Sequence, residues 1–424
     1  MKSFLDKILF RSNNLENISS NIKNFTKKTS AEKIFDVINN YSKNSEIRYV
    51  GGLIRKIINE EIVNDIDLAT NLEPKEICKV LKENRIDFYE TGIEHGTITA
   101  LLNQQKFEIT TLRKDISTDG RHAKVEFSKD WKIDASRRDF TINSIYSDKD
   151  GNLFDPFNGI HDLKRGLVNF IGDADKRIKE DYLRILRYIR FFLEYSKLPH
   201  NLELIKKLKI NIGGISKLSK DRLLNELRKI AKLNSLEKLS KDKISQDLIL
   251  MIFPELKNVK IFSKLDTYKK KILNEMDFIF LLSLMIIDGT DNVDYFFYKF
   301  NISKKDQKRI KILDNFYKDK INSKTFTENS MNRMFYYEGR QAIIDVLKFR
   351  IIKLKKFDKN LFELVKLYEK KTIPVLPIKT EVLMKKYHLS EGHKLGTTLK
   401  IIEEEWIKNN FQISDKQIDY IVKN

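Results

Sequence analysis

Residues 48–70, RYVGGLIRKIINEEIVNDIDLAT, decide the fold. A short predicted strand, Ile47–Val50, runs into Gly51-Gly52, and a helix that contains Arg55 follows. Two glycines after a strand allow a tight turn, and backbone N–H groups there and at the helix N-terminus can approach a phosphate. An ordinary strand-to-helix turn is the other interpretation of the glycine pair.

The same stretch ends in two aspartates, Asp65 and Asp67, with one apolar residue between them. In a strand, alternate side chains face the same way, so the two carboxylates project together. Glu108 lies in a later predicted strand and points away from its apolar neighbours. Carboxylate oxygens are the ligands that Mg²⁺ prefers, so the three residues predict a metal-dependent phosphoryl-transfer site with the metal at Asp65 and Asp67. A solvated Asp-x-Asp turn is the alternative for the aspartate pair.

A second segment, RRDFTIN, places Arg137 and Arg138 directly before Asp139 and ends at Asn143. A guanidinium group makes planar, bidentate contacts to phosphate, so the arginine pair could clamp phosphates or a ribose. The start of an ordinary surface helix would also explain adjacent charged residues.

A third segment, KEDYLRILRYIRFF (179–192), predicts one continuous amphipathic helix. Its apolar face is opposite a charged face formed by Glu180, Asp181, Arg184, Arg187 and Arg190. Glu180 precedes Arg184 by one turn and can hold its guanidinium group in place. Asp181 and Arg184 together offer an acceptor and a donor, which could recognise the edge of a base without a nucleic-acid template. A solvated charged face is the alternative.

The charge of the chain is unevenly distributed. The 424 residues carry a net charge of +20, of which residues 1–165 (27 basic, 26 acidic) hold +1 and residues 166–424 (53 basic, 34 acidic) hold +19. A positive field confined to one part of a chain favours binding of a polyanion along that part. A lysine-rich composition that serves solubility is the alternative.

Helix-breaking residues are concentrated in the N-terminal part. Nine of the 15 glycines fall in residues 51–172, and residues 173–424 are predicted to be mostly helical, for example at 218–233 and 340–357. Residues 44–165 are predicted to be α/β, with strands at Thr97–Leu102 and 107–112 joined by a turn at 103–106.

Cysteine content and hydropathy exclude several classes of protein. The single cysteine, Cys78, excludes an intrachain disulfide framework and a cysteine-based zinc cluster, and it suits a reducing compartment. Uncharged apolar runs of roughly 18–20 residues are missing from the sequence, so no membrane association is expected. The N-terminus lacks the core of a signal peptide, and a plain surface helix is expected there, with an amphipathic targeting helix as the alternative.

The segments around residues 47–195 resemble, in unbroken order, the class II CCA-adding tRNA nucleotidyltransferases, which share a superfamily with bacterial poly(A) polymerases. The matching stretches are VGGLIRK, NDIDLAT, GIEHGTIT, FEITTLRKDISTDGRHAKVEF, RRDFTINSI, DPFNGIHDL and IGDADKRIKEDYLRILRYIRFF. The resemblance implies an α+β fold, in which a polymerase-beta-like nucleotidyltransferase head with a small mixed sheet of five strands is followed by all-helical neck, body and tail domains. The implied boundaries are 1–30 for a helical extension, 31–165 for the head, 166–240 for the neck with the templating helix, 241–350 for the body and 351–424 for the tRNA-binding tail.

The resemblance also implies an activity, namely template-independent addition of CCA to the tRNA 3′ end from CTP and ATP with release of pyrophosphate. It implies a catalytic role for Asp65, Asp67 and Glu108, with Mg²⁺ held by the two aspartates. The implied nucleotide-binding residues are Gly51, Gly52, Arg55, Arg137, Arg138, Asp139, Asn143, Glu180, Asp181, Arg184, Arg187 and Arg190. Residues 114–134 match a mobile loop of the family, and this loop includes Arg121, His122 and Lys124.

Three other functions are considered. A poly(A) polymerase of the same superfamily is disfavoured because no Gly-Arg-Arg-Phe-like run precedes Glu108. A partial enzyme that adds only CC or only A is a second alternative, and the intact loop argues against the CC-only form. A non-catalytic RNA-binding protein is disfavoured by the three intact carboxylates. We expect a cytoplasmic protein, or one of an organelle matrix if the source is eukaryotic, without an obligate protein partner.

Overall fold

The computed structural model describes residues 2–118, 123–319, 328–354, 356 and 358–423. Arg121 and His122, which the sequence analysis singled out, lie outside the described residues. The chain divides into two compact units, Met1–Leu227 and Arg228–Asn424. The finer division into extension, head, neck, body and tail stays a prediction.

The first unit contains a seven-stranded mixed sheet and a separate two-stranded hairpin. The sheet order is β3-β4-β5-β2-β1-β8-β9, and only the β2–β5 pair is parallel. The strands are β1 Ile47–Val50, β2 Ile66–Thr70, β3 Asp87–Gly92, β4 Thr97–Leu102, β5 Gln105–Thr111, β6 Arg113–Thr118, β7 Ala123–Phe127, β8 Tyr146–Ser147 and β9 Leu153–Phe154. Strands β6 and β7 form the hairpin. The expected five-stranded sheet corresponds to β1–β5, and the two-residue strands β8 and β9 extend it at the β1 edge.

Ten α-helices begin in the described part of the first unit. They are α1 Lys2–Lys28, α2 Ala31–Asn39, α3 Gly52–Ile58, α4 Pro74–Glu83, α5 Trp131–Ser136, α6 Gly159–Arg165, α7 Ala174–Glu180, α8 Leu183–Tyr195, α9 Leu202–Asn211 and α10 Lys220–Ile230. Short 3₁₀ helices span Ile93–His95, Thr141–Asn143 and Ile212–Lys217. Helices α1–α4 cover the sheet, and their apolar side chains form one core with it. This packing holds β2 and β5 in the interior of the unit.

The second unit is built from helices in its described residues, as the sequence predicts. They are α11 Leu233–Lys241, α12 Lys243–Ile252, α13 Thr267–Asn274, α14 Phe278–Ile286, α15 Asn292–Lys299, α16 Lys304–Asp319, α17 Glu328–Glu338, α18 Arg340–Lys353, α19 Lys359–Lys370, α20 Thr380–Tyr387, α21 His393–Lys408 and α22 Asp415–Lys423, with a 3₁₀ helix at Val259–Ser263. The helices predicted within 218–233 and 340–357 are confirmed as α10 and α18. In the described part of the chain, every helix is too short or too polar to cross a bilayer.

The strand predictions around the sheet centre are confirmed. Strands β1 and β4 have the predicted bounds, and β5 begins two residues before the predicted start. The turn between β4 and β5 is centred on Asn103 and Gln104, whose φ angles are 49° and 63°. Two successive residues with positive φ match the twist of the flanking strands, which explains the tight connection.

The predicted continuous helix over residues 179–192 is wrong. Helix α7 ends at Glu180, Asp181 is extended (φ −152°, ψ 105°), and α8 begins at Leu183. The Asp181 side chain accepts a hydrogen bond from the Leu183 backbone N–H (3.1 Å) and pairs with Arg222 (2.8 Å). An aspartate that bonds nearby backbone in this way competes with the helical hydrogen bond, so the chain turns at this residue.

Candidate active site

Asp67 and Glu108 lie side by side at the centre of the sheet. They are register partners on the parallel strands β2 and β5. Glu108 is exposed, and its neighbours on β5 are buried, so its side chain has the predicted direction. Asp65 is exposed directly before β2, and Asp67 is half-buried. Burial raises the pKa of Asp67, and the charges of Glu108 and Asp65 raise it further.

These carboxylates fit a divalent cation in their donor chemistry. Oxygen ligands of this kind suit hard ions such as Mg²⁺, and a cation between Asp65 and Asp67 would relieve their mutual repulsion. In the described residues, however, no three His, Cys, Asp or Glu side chains stand close enough together to hold a metal ion. Asp67 also adjoins the glycine turn, because a Cβ on Gly52 would lie 3.9 Å from Asp67 Oδ2.

A cavity of about 380 Å³ opens beside the glycine turn. Eleven of the twelve predicted nucleotide-binding residues line it, and these are Gly51, Gly52, Arg55, Arg137, Arg138, Asp139, Asn143, Asp181, Arg184, Arg187 and Arg190. The lining also includes Asp115 and Phe191, which the sequence analysis did not propose. Glu180 and the three catalytic candidates are not among the described lining residues. The structure therefore brings together residues that are up to 140 positions apart in the sequence, from Gly51 to Phe191.

The turn at Gly51 admits only glycine. Its φ is +61°, and an added Cβ would stand 3.2 Å from both Arg138 Nη1 and the Asn143 carbonyl oxygen. The Gly51 N–H donates to the Ile145 carbonyl oxygen (3.0 Å), which fixes the turn against the segment after Asn143. Glycine thus lets the chain pass close to the arginine of the cavity wall.

A chain of buried hydrogen bonds crosses the floor of the cavity. Arg187 Nε donates to Asp139 Oδ2 (2.6 Å), and Asn143 Nδ2 donates to Asp139 Oδ1 (2.8 Å). The Asn143 side-chain oxygen in turn accepts from Arg55 Nη1. Burial alone would raise the pKa of Asp139, but Arg187, helped by the Asn143 hydrogen bond and the charge of Arg184, holds this pKa well below its usual range. Asp139 therefore stays ionised and fixes Arg187 directly and Arg55 through Asn143.

Phe191 supports three of the arginines. Its ring is 2% exposed, and the guanidinium carbons of Arg190, Arg55 and Arg187 lie 4.0, 4.8 and 5.5 Å from the ring centroid. The face of an aromatic ring stabilises a cation at such distances and, unlike a carboxylate, does not neutralise its charge. The ring thus brings the three guanidinium groups together, while Asp139 pairs with Arg187, and Glu226 and Glu194 pair with Arg190. Phe191 was missed because helical periodicity places its neighbour Phe192, not Phe191, on the apolar face.

Glu180 orients Arg184 from outside the cavity, as the sequence predicts. Arg184 Nη1 donates to Glu180 Oε2 (2.6 Å) and to the Arg177 carbonyl oxygen (2.7 Å). Arg177 also pairs with Glu180 and donates to the carbonyl oxygens of Arg137 and Arg138. The i, i+3 spacing of Arg177 and Glu180 could have indicated this residue. Arg222, which holds Asp181, lies 41 residues away, so the sequence around Asp181 could not have indicated it.

Comparison with known proteins gives a matching family model and similar sequences over most of the chain. A model of the poly A polymerase head domain matches residues 47–169. The mitochondrial CCA tRNA nucleotidyltransferase 1 of Homo sapiens is 33% identical over 389 residues, covering 90% of this chain and 87% of that protein. The chain belongs to the CCA tRNA nucleotidyltransferase family.

Solved structures of CCA-adding enzymes share the fold of this family member. The crystal structure of the Bacillus stearothermophilus CCA-adding enzyme in complex with CTP superposes with a TM-score of 0.71 at 18% identity, covering 93% of this chain and 96% of that one. The Thermotoga maritima CCA-adding enzyme complexed with tRNA gives a TM-score of 0.64 at 19% identity, covering 96% and 98%. Nucleotidyltransferases of this kind are generally metal-dependent.

Proposed function

We propose that this CCA tRNA nucleotidyltransferase family member adds C, C and A to the 3′ end of tRNA from CTP and ATP and releases pyrophosphate. The observation that carries the proposal is one cavity, which gathers eleven predicted nucleotide-binding residues and whose Gly52 adjoins Asp67. The relatives named above carry this activity in their names, and 33% identity over 90% of the chain supports its transfer.

The charge of the cavity suits a nucleoside triphosphate. Six arginines and three aspartates line it, so positive charge is in excess. Arg55, Arg137 and Arg138 are proposed to contact the phosphates and ribose, since a guanidinium fork matches the geometry of phosphate oxygens. The turn would admit the phosphates to the backbone N–H groups that follow Gly51, whose own N–H donates to Ile145.

The carboxylates are proposed to carry the chemistry. Asp65 and Asp67 would hold a divalent cation, for which we propose Mg²⁺, and Glu108 would help to activate the tRNA 3′-hydroxyl group. The cation, when bound, supplies charge neutralisation of the attacking oxygen and of the leaving pyrophosphate. The half-buried position of Asp67 beside Gly52 would place this chemistry next to the proposed phosphate contacts.

Asp181 and Arg184 are proposed to select the base. Arg222 and the Leu183 N–H hold the Asp181 carboxylate, which retains further lone pairs as an acceptor. Glu180 holds Arg184, whose guanidinium group has five N–H donors. One fixed acceptor beside one fixed donor can recognise a base edge without a template, which is what CCA addition requires.

The basic part of the chain is proposed to hold tRNA. Residues 166–424 carry nearly the whole net charge, and RNA stems are bound mostly through shape and phosphate contacts. The cytoplasmic location and the lack of an obligate protein partner stay predictions.

Extension of a tRNA transcript that ends at the discriminator base tests the function. The purified protein is incubated with Mg²⁺ and CTP, ATP or both, and product lengths are measured on a sequencing gel. We expect two additions with CTP alone and three with both nucleotides. A long A ladder would indicate a poly(A) polymerase, and a stop at CC with both nucleotides would indicate a partial enzyme. No extension despite tight tRNA binding would favour a non-catalytic RNA-binding protein.

A further inference from the structure

Asp134 is a buried carboxylate behind the wall of the cavity. It lies on α5, is 1% exposed, and is not among the residues that line the cavity. Oδ1 accepts from Arg137 Nε (2.8 Å), and Oδ2 accepts from Arg138 Nη2 (3.1 Å). One side chain thus holds both arginines of the RRD segment from behind.

Tyr146 provides further contacts that restrain Arg138. Its hydroxyl donates to Asp134 Oδ2 (2.7 Å) and accepts from Arg138 Nε (3.0 Å). The Arg138 guanidinium also lies 5.2 Å from the centroid of the Tyr146 ring. Because Tyr146 is fully buried in β8, it ties this arrangement to the sheet. Arg138 is therefore restrained at Nε, at Nη2 and over the ring face.

The same carboxylate anchors the start of the β6–β7 hairpin. The Arg113 backbone N–H donates to Asp134 Oδ1 (3.3 Å), and the Arg113 side chain donates to the His95 carbonyl oxygen. Strand β6 also carries Asp115, which lines the cavity. Asp134 therefore joins two walls of the cavity.

The ionised side chains around Asp134 carry a net positive charge. Burial, followed by the charge of Arg137, lowers the pKa of Arg113 to about 10. Burial would raise the pKa of Asp134, but Arg138 and Arg137 hold it well below its usual range, so it stays ionised. Two carboxylates, Asp134 and Asp115, thus face three guanidinium groups, and the one uncompensated positive charge is available to an anionic ligand.

We propose that Asp134 is a positioning residue for nucleotide binding. It fixes the guanidinium groups of Arg137 and Arg138 in the cavity wall and so sets the affinity for the phosphate and ribose part that CTP and ATP share. This role rests on the proposed function, because it presupposes that CTP and ATP bind in this cavity. Arg184 meets this segment at the Arg137 carbonyl oxygen (3.5 Å), whereas Asp134 binds the Arg137 side chain, so we expect base selection not to depend on the Asp134 charge.

The variant Asp134→Asn tests the inference, because it keeps the shape and removes the charge. Affinities of the full-length chain for CTP and for ATP are measured by calorimetry without tRNA, and KM and kcat are measured with tRNA. We expect both affinities to fall about 10-fold by the same factor, with KM raised to match and kcat changed less than about 3-fold. The ratio of CTP to ATP affinity stays at its wild-type value.

Asp345→Asn is the matched control. Asp345 is also 1% exposed and accepts from an arginine, Arg309 (Nε 2.6 Å), but it lies on α18 in the second unit. It therefore removes a buried, arginine-paired charge away from the cavity, and nucleotide affinity should keep its wild-type value. Equal losses of affinity in Asp134→Asn and Asp345→Asn would show a general loss of folded protein and overturn the inference.

Tyr146→Phe gives a second variant in case Asp134→Asn does not fold. It keeps the ring but removes the hydroxyl between Asp134 and Arg138, and we expect a loss of about 3-fold in both affinities. Wild-type affinities in this variant, or in a folded Asp134→Asn, would overturn the inference, as would a wild-type chain that binds neither nucleotide. A wild-type chain that binds both nucleotides but does not extend tRNA would instead refute the proposed function alone.

Discussion

Asp67 on β2 and Glu108 on β5 face the same side of two parallel, hydrogen-bonded strands at matching register. Matching register on adjacent strands brings the two Cβ atoms close. Burial raises the pKa of Asp67, and the charge of the nearby Glu108 raises it further. Like charges directly opposite each other on neighbouring strands are destabilising, and a bound cation would relieve this repulsion. We therefore expect activity to be sensitive to the replacement of Asp67.

Replacement Asp67→Ala should abolish nucleotide addition and leave tRNA binding intact. Removing a proposed metal ligand should lower the rate of CTP incorporation at least about 1,000-fold, because charge on the leaving group is no longer neutralised. The rate is measured by gel extension and tRNA binding by filter retention. The control is Asp87→Ala, an exposed carboxylate on β3 of the same sheet, which should keep the wild-type rate. Normal turnover of Asp67→Ala would refute the metal assignment.

Replacement Glu180→Gln should impair base selection more than binding. The amide keeps the size of the side chain, but it weakens the charged contacts to Arg184 and Arg177. A looser Arg184 should lower the preference for CTP over ATP at the first added position about 10-fold, measured as the ratio of kcat/KM values. Glu203→Gln, an exposed glutamate on α9 that pairs with Lys206, is the control and should keep the preference. An unchanged preference in Glu180→Gln would contradict the proposed role.

Replacement Gly214→Ala should destabilise the first unit. A Cβ at Gly214 would stand 2.1 Å from Cε1 of Tyr182, so the ring that follows Asp181 must move. Overpacking of this kind costs roughly 1–3 kcal/mol. The free energy of unfolding is measured by urea denaturation. Gly213→Ala is a close control, since a Cβ there meets nothing within 4 Å. Equal stabilities of the two variants would show that the Tyr182 contact is unimportant.

The Asp139–Arg187 pair should make the stability of the first unit acid-sensitive. Because the folded-state pKa of Asp139 lies well below the unfolded value of about 4, its contribution is present above that pH and is lost as the pH falls. The difference in unfolding free energy between wild type and Asp139→Asn should therefore narrow by at least about 1 kcal/mol below pH 4. Urea denaturation between pH 7 and pH 3 measures this difference. A constant difference over that range would show that the pKa of Asp139 is not depressed.

The local patterns of the sequence determined most of the site. Alternation fixed the direction of Glu108, the glycine pair fixed the turn after β1, and the i, i+4 spacing fixed the contact of Glu180 with Arg184. These features depend on strand and helix periodicity, which a few neighbouring residues specify. The family resemblance, not periodicity, implied the twelve nucleotide-binding residues, and eleven of them line one cavity.

Only the tertiary structure decided the features that depend on distant residues. The Asp181 carboxylate at the helix break is held by Arg222, which lies 41 positions along the chain. The stacking of Arg55 on Phe191 and the link from Asp134 to Tyr146 join different elements of the first unit. A carboxylate can be buried only where hydrogen-bond and ion-pair partners offset the free energy of its desolvation. Only folding brings those partners together. The sequence thus specified which groups could bind a nucleotide, and the packing of sheet against helices decided how firmly each group is held.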